Sequence, residues 1–123
     1  MKATKITYWI TTAIVALMML YSASAYLTQP AMAAAFKHLG YPDYFRIELA
    51  IGKITGAILL LVPLTARIKE WAYAGFAITF VSAFIAHSAS GDPVPNRLMP
   101  LIFLILLIVS YITYHKQRKT TVQ

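Results

Sequence analysis

Residues 40–63, GYPDYFRIELAIGKITGAILLLVP, decide how this chain folds. Glycine and proline open the stretch, a long apolar run follows, and Pro63 is predicted to end the helix. Two charged residues, Glu48 and Lys53, interrupt the apolar run. A charged side chain facing hydrocarbon is costly, so such residues usually face a bundle interior, a water-filled cavity or a partner. The stretch therefore predicts a membrane helix that carries functional residues.

The composition places the whole chain in a membrane. Of its 123 residues 59% are hydrophobic and only 12% are charged, and the mean hydropathy is +0.66; soluble domains have about 25% charged residues. Four runs, at about residues 6–27, 44–62, 71–89 and 98–114, approach the roughly 20 residues that cross a bilayer. We expect an all-α integral membrane four-helix bundle, with residues 1–123 forming one domain.

Charge and cysteine content exclude several classes of function. The chain has no cysteine, so disulfides, iron–sulfur ligation and a Cys-x-x-Cys relay are excluded. Its net charge of +7 comes from residues at helix ends rather than along one face. This pattern indicates membrane topology rather than nucleic-acid binding. The expected partner is the lipid bilayer, and no nucleic acid is expected.

A short helix is predicted between the first two membrane runs. Pro30 suits a first helical position, and Gly40 suits the position just past a helix end. Met32, Phe36 and Leu39 recur at helical spacing. We expect this helix to lie in the membrane interface with its apolar side toward the lipid.

Basic residues predict the orientation. The predicted N-terminus, second-to-third loop and C-terminal tail hold Lys2, Lys5, Arg67, Lys69, Lys116, Arg118 and Lys119, whereas the other two loops hold Lys37, Arg46 and Arg97. The excess marks the cytoplasmic side. Both termini are therefore expected in the cytoplasm.

The predicted topology brings polar residues into one layer of the outer half. With the second helix starting near Tyr44, Glu48 lies roughly 6 Å and Lys53 roughly 13 Å deep, at 1.5 Å per residue. The layer also receives Tyr21, Ser22 and Tyr26 from the first helix and His87 from the third, and Asp92 borders it. The candidate ligand-binding residues are Glu48, Lys53, His87, Tyr21 and Asp92.

The helical phase of the second run separates its two charges. Glu48, Gly52 and Gly56 are four residues apart and form a small-residue stripe that lets a neighbouring helix approach, so Gly52 and Gly56 are predicted packing residues and Glu48 should face protein. Lys53 lies about 140° around the helix from Glu48 and cannot pair with it. Lys53 therefore needs a partner across the bundle or in a second subunit, or it must be neutral.

Structural roles are alternatives for each of these residues. Glu48 can reach the interface or bond Arg46 or a tyrosine, Lys53 can serve a polar network, and His87 can be a satisfied interfacial histidine. His38 and His87 lack a ligand-like spacing partner, and the chain has no nucleophile-and-base, phosphate-loop or zinc motif. No catalytic residue and no metal site is predicted. A polar pocket between the helices suits a quinone ring, whose carbonyl oxygens can accept from Lys53, His87 or a tyrosine.

Several motifs together resemble the DoxX-like family of small bacterial and archaeal membrane proteins. They are Gly40-Tyr41-Pro42, Glu48, Gly52-Lys53 with Gly56, Leu61-Val62-Pro63, Lys69-Glu70-Trp71-Ala72-Tyr73-Ala74-Gly75, Ala86-His87-Ser88 and Gly91-Asp92. The resemblance covers nearly the whole chain and implies a four-helix protein of a prokaryotic inner membrane. The family takes its name from similarity to a small subunit of a quinol-linked, thiosulfate-oxidising membrane complex. It implies no catalytic residue at any position of this chain.

Three functional hypotheses follow. The first is a redox-associated membrane subunit that binds a quinone, without covalent cofactor, beside a membrane redox partner. The second is a non-enzymatic scaffold or lipid-interacting protein. The third is a small dimeric exporter in which Glu48 exchanges protons, although coupling sites usually lie nearer the bilayer midplane. All three favour a protein without catalytic activity of its own.

Overall fold

The computed structural model describes residues 2–62 and 64–122, with side chains up to residue 117. Within these residues the chain forms five helices and no strand: α1 (Lys2–Thr28), α2 (Pro30–His38), α3 (Asp43–Leu61), α4 (Ala66–Ala89) and α5 (Val94–Val122). The expected all-helical class is confirmed. Pro63, which was predicted to end the second membrane helix, lies outside the described residues.

Three helices extend beyond the predicted apolar runs. α1 begins at Lys2, α4 begins at Ala66 rather than Trp71, and α5 begins at Val94 rather than Leu98. Hydropathy marks the part of a helix that suits hydrocarbon, whereas backbone hydrogen bonds continue into the polar flanks. α5 includes Pro95 in its first turn, where proline is tolerated because its missing N–H would have no acceptor there.

α2 is the short helix that Pro30 and Gly40 predicted. Pro30 is its first residue, and Gly40 follows it with a φ of +88°, which favours glycine. The prediction that its apolar side faces lipid is wrong. Phe36 is buried, with its ring centroid 4.9 Å from that of Tyr26 on α1 and 6.4 Å from that of Phe45 on α3. Aromatic side chains on the neighbouring helices offer α2 a packing surface, so its apolar face turns onto the bundle.

The other four helices pack in the order α1, α3, α4, α5 around a common axis. α1 contacts α3 and α5, and α4 contacts α5 and α3, while α2 rests on α1 and α3. The half of the bundle that carries α2 and the α4–α5 connection is called the α2 end. The buried cluster extends from the middle toward the opposite end and comprises Val15, Ala16, Met19, Ala57, Leu60, Ala72, Tyr73, Phe76, Phe80 and Leu107.

One close contact holds α3 against α4 in the half opposite the α2 end. A Cβ placed on Gly56 would lie 2.7 Å from Cζ of Phe76, so only glycine fits there without displacing the ring. A Cβ on Gly52, one turn closer to the α2 end, would meet nothing within 4 Å. α3 and α4 therefore touch at Gly56 and leave space between them beside Gly52.

The surface is apolar, as a membrane protein requires. Isoleucines that point outward are half or more exposed on every long helix, including Ile10, Ile51, Ile78 and Ile105. Of the described residues, three helical segments are long and apolar enough to cross a membrane: Lys2–Thr28, Ala66–Ala89 and Val94–Gln117. The chain is thus a multi-pass membrane protein. α3 is not among the three, because its 19 residues include Asp43, Arg46, Glu48 and Lys53, and the expected count of four spans stays a prediction.

Candidate ligand-binding site

A cavity of about 490 Å³ occupies the α2 end of the bundle. All five helices contribute to its wall, which is mostly apolar and includes Met19, Leu49, Phe80, Met99 and Phe103. Phe36 of α2 and Leu39, the residue after α2, also line it, so α2 covers the cavity. Most large side chains of the buried cluster lie in the other half of the bundle, whereas small residues such as Ala23 and Ala50 are buried in this half, which leaves the space.

Lys53 is the buried basic group in the wall of this cavity. Its side chain is only 7% exposed, and its Nζ donates to Oγ of Ser22 at 2.8 Å and to the hydroxyl of Tyr26 at 2.7 Å. The partner that Lys53 requires therefore lies across the bundle, on α1. Because Ser22 and Tyr26 are four residues apart, they share one face of α1 and both reach the same amino group.

Arg46 fixes the end of α1 beside Lys53. Its guanidinium donates to the backbone carbonyl of Tyr26 and also to the carboxylate of Asp43, at 3.2 and 3.3 Å. A cation at a helix C-terminus satisfies carbonyls that have no partner within the helix. Asp43 pairs with Arg46 instead of capping α3, whose N-cap residue is Pro42. Arg46 thus ties α3 to α1 and positions Tyr26.

His38, Asp92 and His87 form a hydrogen-bonded chain at the edge of the cavity. Nδ1 of His87 lies 2.5 Å from one carboxylate oxygen of Asp92, and Nε2 of His38 lies 2.7 Å from the other. Arg97 donates through Nε to the backbone carbonyl of Asp92 at 2.7 Å. The hydrogen bond with His87, and then that with His38, holds the pKa of the Asp92 carboxyl below its usual value. The chain joins α2, α4 and the start of α5.

The structure brings together some of the predicted site residues and separates others. Lys53 and His87 line the same cavity, and Asp92 contacts it through His87. Tyr21 is 62% exposed and does not line the cavity. Glu48 is also exposed, without a hydrogen-bond partner among the described residues, so the prediction that it faces protein is wrong. The Glu48–Gly52 stripe points outward, because α3 turns the face that carries Lys53 toward α1.

Three features of the site were not identified from the sequence. Ser22 and Tyr26 were placed in the right layer, yet Tyr21 was chosen as the candidate ligand residue; the four-residue spacing of the other two was the available signal. The pairing of His38 with Asp92 joins residues 54 positions apart, and no local pattern indicates it. Asn96 of α5 lines the cavity and was also missed.

Two other polar clusters lie at the opposite end, away from the cavity. The buried hydroxyl of Ser110 lies 2.5 Å from that of Thr12 and 2.7 Å from that of Tyr73. Glu70 contacts Nε2 of His115 at 2.6 Å and accepts from the hydroxyl of Tyr111 at 3.0 Å. These contacts join α1, α4 and α5, so helix packing accounts for these six residues. The buried Lys69 of the same half donates through Nζ to the backbone carbonyl of Leu60 at 2.6 Å.

The cavity can hold a small molecule with carbonyl oxygens. Its volume falls within the roughly 300–1,000 Å³ of known small-molecule sites. A protonated lysine has three N–H donors, and the hydrogen bonds described for Lys53 use two; its Nζ also lies 4.0 Å from the centroid of the Tyr26 ring. Asn96, on the diagonally placed α5, supplies an amide that can donate from another wall. Among the described residues, no group of three or more histidine and carboxylate side chains is placed to hold a metal ion.

Comparison with known proteins gives one family match. The model of the DoxX-like family matches residues 10–110, a range that includes every residue lining the cavity. This match confirms the resemblance that the motifs indicated. No curated protein and no solved structure matches the chain.

Proposed function

The chain belongs to the DoxX-like family, and from that membership and the cavity we propose that it is a membrane protein that binds a quinone at its α2 end. The observation that carries the proposal is the amino group of Lys53, buried in the wall of an otherwise apolar cavity. Burying a basic group inside a membrane is costly unless polar partners satisfy it. A ligand oxygen that accepts from its remaining N–H would complete its hydrogen bonds.

A quinone matches the distribution of polar groups in the cavity. Its ring is flat and apolar, and its two carbonyl oxygens lie at opposite ends. Lys53 on α3 and Asn96 on α5 belong to helices placed diagonally across the bundle, so each can serve one carbonyl. The aromatic side chains of Phe36 and Phe80 supply faces for the ring. The protein itself is proposed as a binding module for a membrane redox partner, without catalytic residues of its own.

We propose further that α3 crosses the membrane together with α1, α4 and α5, giving a four-helix membrane bundle. α3 packs between α1 and α4, two helices that are long and apolar enough to cross. Its charged Lys53 and Arg46 are satisfied inside the bundle, which lowers the cost of insertion. With the basic residues on the cytoplasmic side of an inner membrane, the α2 end faces outward.

The test is the quinone content of gently purified protein. We expect a quinone at near-stoichiometric amount in organic extracts of the wild type, identified by mass spectrometry. Lys53→Met should lower the affinity for a quinone by about tenfold or more, because losing one buried hydrogen bond costs about 1–3 kcal/mol. Affinity is measured by calorimetric titration of the protein in detergent with a short-chain benzoquinone.

Lys5→Met is the matched control. Lys5 is an exposed lysine near the start of α1, so this variant removes the same charge without touching the cavity. It should keep the wild-type quinone content and affinity. No binding by the folded wild type, or equal affinity in Lys53→Met, would exclude the proposal and leave the scaffold hypothesis as the better description. The exporter hypothesis has no support from Glu48, whose exposed side chain lies outside the cavity.

A further inference from the structure

A groove on the outside of the bundle, between α3 and α4, lies next to the cavity. The groove has a volume of about 350 Å³ and shares Leu49, Lys53 and Thr79 with the cavity. It follows α4 from Thr79 to Trp71, a length of about 12 Å at 1.5 Å per residue. The groove therefore borders the cavity at the three shared residues, one of which carries the amino group that is proposed to bind the ligand.

Two glycines keep this passage open. Gly52 on α3 and Gly75 on α4 both line the groove and are exposed, and a Cβ on either would meet nothing within 4 Å. The contact of Gly56 with Phe76 closes the gap between the helices further along. Among the described residues, no side chain fills the space beside these two glycines.

The wall of the groove is suited to a hydrocarbon chain. Leu59, Trp71 and Phe76 form much of it, and Trp71 is 72% exposed. On the other side of the cavity, Phe36 of α2 and Leu39, the residue after α2, form part of the wall. The α3–α4 groove offers a long tail an apolar surface that leads away from the cavity.

We propose that the ligand is a long-chain isoprenoid quinone whose ring lies in the cavity at Lys53 and whose chain leaves past Gly52 and Gly75 to lie in the α3–α4 groove. The inference rests on the proposed function and adds a chain subsite and a lateral entry route from the bilayer. The groove then discriminates between ligands by their tails, while the cavity recognises the ring.

The test fills the groove and compares two ligands with the same ring. Gly52→Leu and Gly75→Leu place a side chain in the open space, and leucine is also the better helix former, so both variants should fold. We expect each variant to bind a long-chain isoprenoid quinone about tenfold or more weakly, because the leucine side chain takes the space that the isoprenoid chain would fill. Binding of the chainless benzoquinone should stay within about twofold of wild type, because the ring does not enter the groove.

Ala74→Leu is the matched control on the same helix. Ala74 is exposed but lines a separate groove between α4 and α5, so the same enlargement there should leave both affinities unchanged. The affinities are measured by calorimetry on full-length protein in detergent, and sizing chromatography with light scattering reports the oligomeric state.

The outcomes separate the two proposals. If the wild type binds neither quinone, the proposed function itself fails. If the wild type binds the chainless quinone but the glycine variants keep full affinity for the long-chain quinone, only the groove is excluded. An equal loss for both ligands would mean that the substitutions damage the cavity, and a change from dimer to monomer would assign the groove to a second copy of the chain; either result overturns the chain subsite.

Discussion

Asp92 is the residue that joins the most elements at the rim of the cavity. Its carboxylate contacts His38 of α2 and His87 of α4, and its backbone carbonyl accepts from Arg97 of α5. The side chain is largely buried by these neighbours, at 8% exposure for the residue. A carboxylate that accepts two such hydrogen bonds is stabilised in its charged form. The charge of Asp92 therefore helps to hold α2 over the cavity, together with the packing of Phe36.

The lowered pKa of Asp92 predicts a loss of stability in acid. Because the folded state holds this carboxyl ionised more strongly than the unfolded state, the contribution is fully present above the ordinary pKa of 3.8 and is lost as pH falls through the lower pKa of the folded protein. We expect Asp92→Asn to be less stable than wild type near neutral pH and the difference to shrink below about pH 4. Thermal unfolding of wild type and Asp92→Asn in detergent across this pH range measures the stability difference and its dependence on pH.

Asp43→Asn serves as the control for that experiment. The Asp43 carboxylate is exposed and pairs with Arg46 on its own helix, so its removal should change stability little, since surface ion pairs contribute about 0–1 kcal/mol. If Asp92→Asn differs from wild type by the same amount at pH 3 and pH 7, the coupling of the Asp92 charge to folding is excluded.

At the scale of elements, the contact between α3 and α4 is set by a single glycine. Gly56→Ala should lower the free energy of unfolding by about 1–2 kcal/mol, because overpacking costs about 1–3 kcal/mol and the gain in helix propensity returns part of it. Phe76 has little freedom to move away, since it is buried and its ring stacks on Phe80 at 6.0 Å between centroids. Denaturant unfolding followed by circular dichroism measures the change.

Gly52→Ala makes the same chemical change one turn away and gives the opposite expectation. With nothing within 4 Å of the added Cβ, the substitution should be neutral or stabilise α3 by up to about 0.5–1 kcal/mol. If Gly52→Ala lost as much stability as Gly56→Ala, the close approach of α3 and α4 at Gly56 would not explain the loss.

At the scale of the whole molecule, the question is how many helices cross the bilayer. The chain lacks cysteine, so single cysteines report sidedness without background. Gln29 lies between α1 and α2, Thr65 precedes α4, and both are exposed. In intact cells an impermeant maleimide should label Gln29→Cys and should label Thr65→Cys only after lysis, because α3 would place the two positions on opposite sides.

Labelling of both cysteines from outside would mean that α3 enters the membrane without crossing it. Labelling of Thr65→Cys alone would reverse the predicted orientation while keeping four spans. Lys2→Cys, at the N-terminus that is expected inside, is the control. It should be labelled only after lysis, which shows that the reagent reacts and that it does not enter intact cells.

Much of the molecule could be predicted from local patterns. The helical class, the short α2 between Pro30 and Gly40 and the family all follow from hydropathy, spacing and motifs, which are properties of neighbouring residues. The predicted first residues of α4 and α5 lie several residues inside the helices, because hydropathy does not register polar residues that continue a helix.

The sequence by itself determined that this is a helical membrane protein and that Lys53, His87 and Asp92 stand out as polar residues in apolar surroundings. Only the tertiary structure decided that Lys53 meets Ser22 and Tyr26, that Glu48 and Tyr21 point outward, and that His38 reaches Asp92. The reason is that hydropathy and period are fixed within one helix, whereas the rotation of each helix about its axis is fixed by its neighbours. The cavity and its groove depend on that rotation and on where Gly56 lets two helices touch.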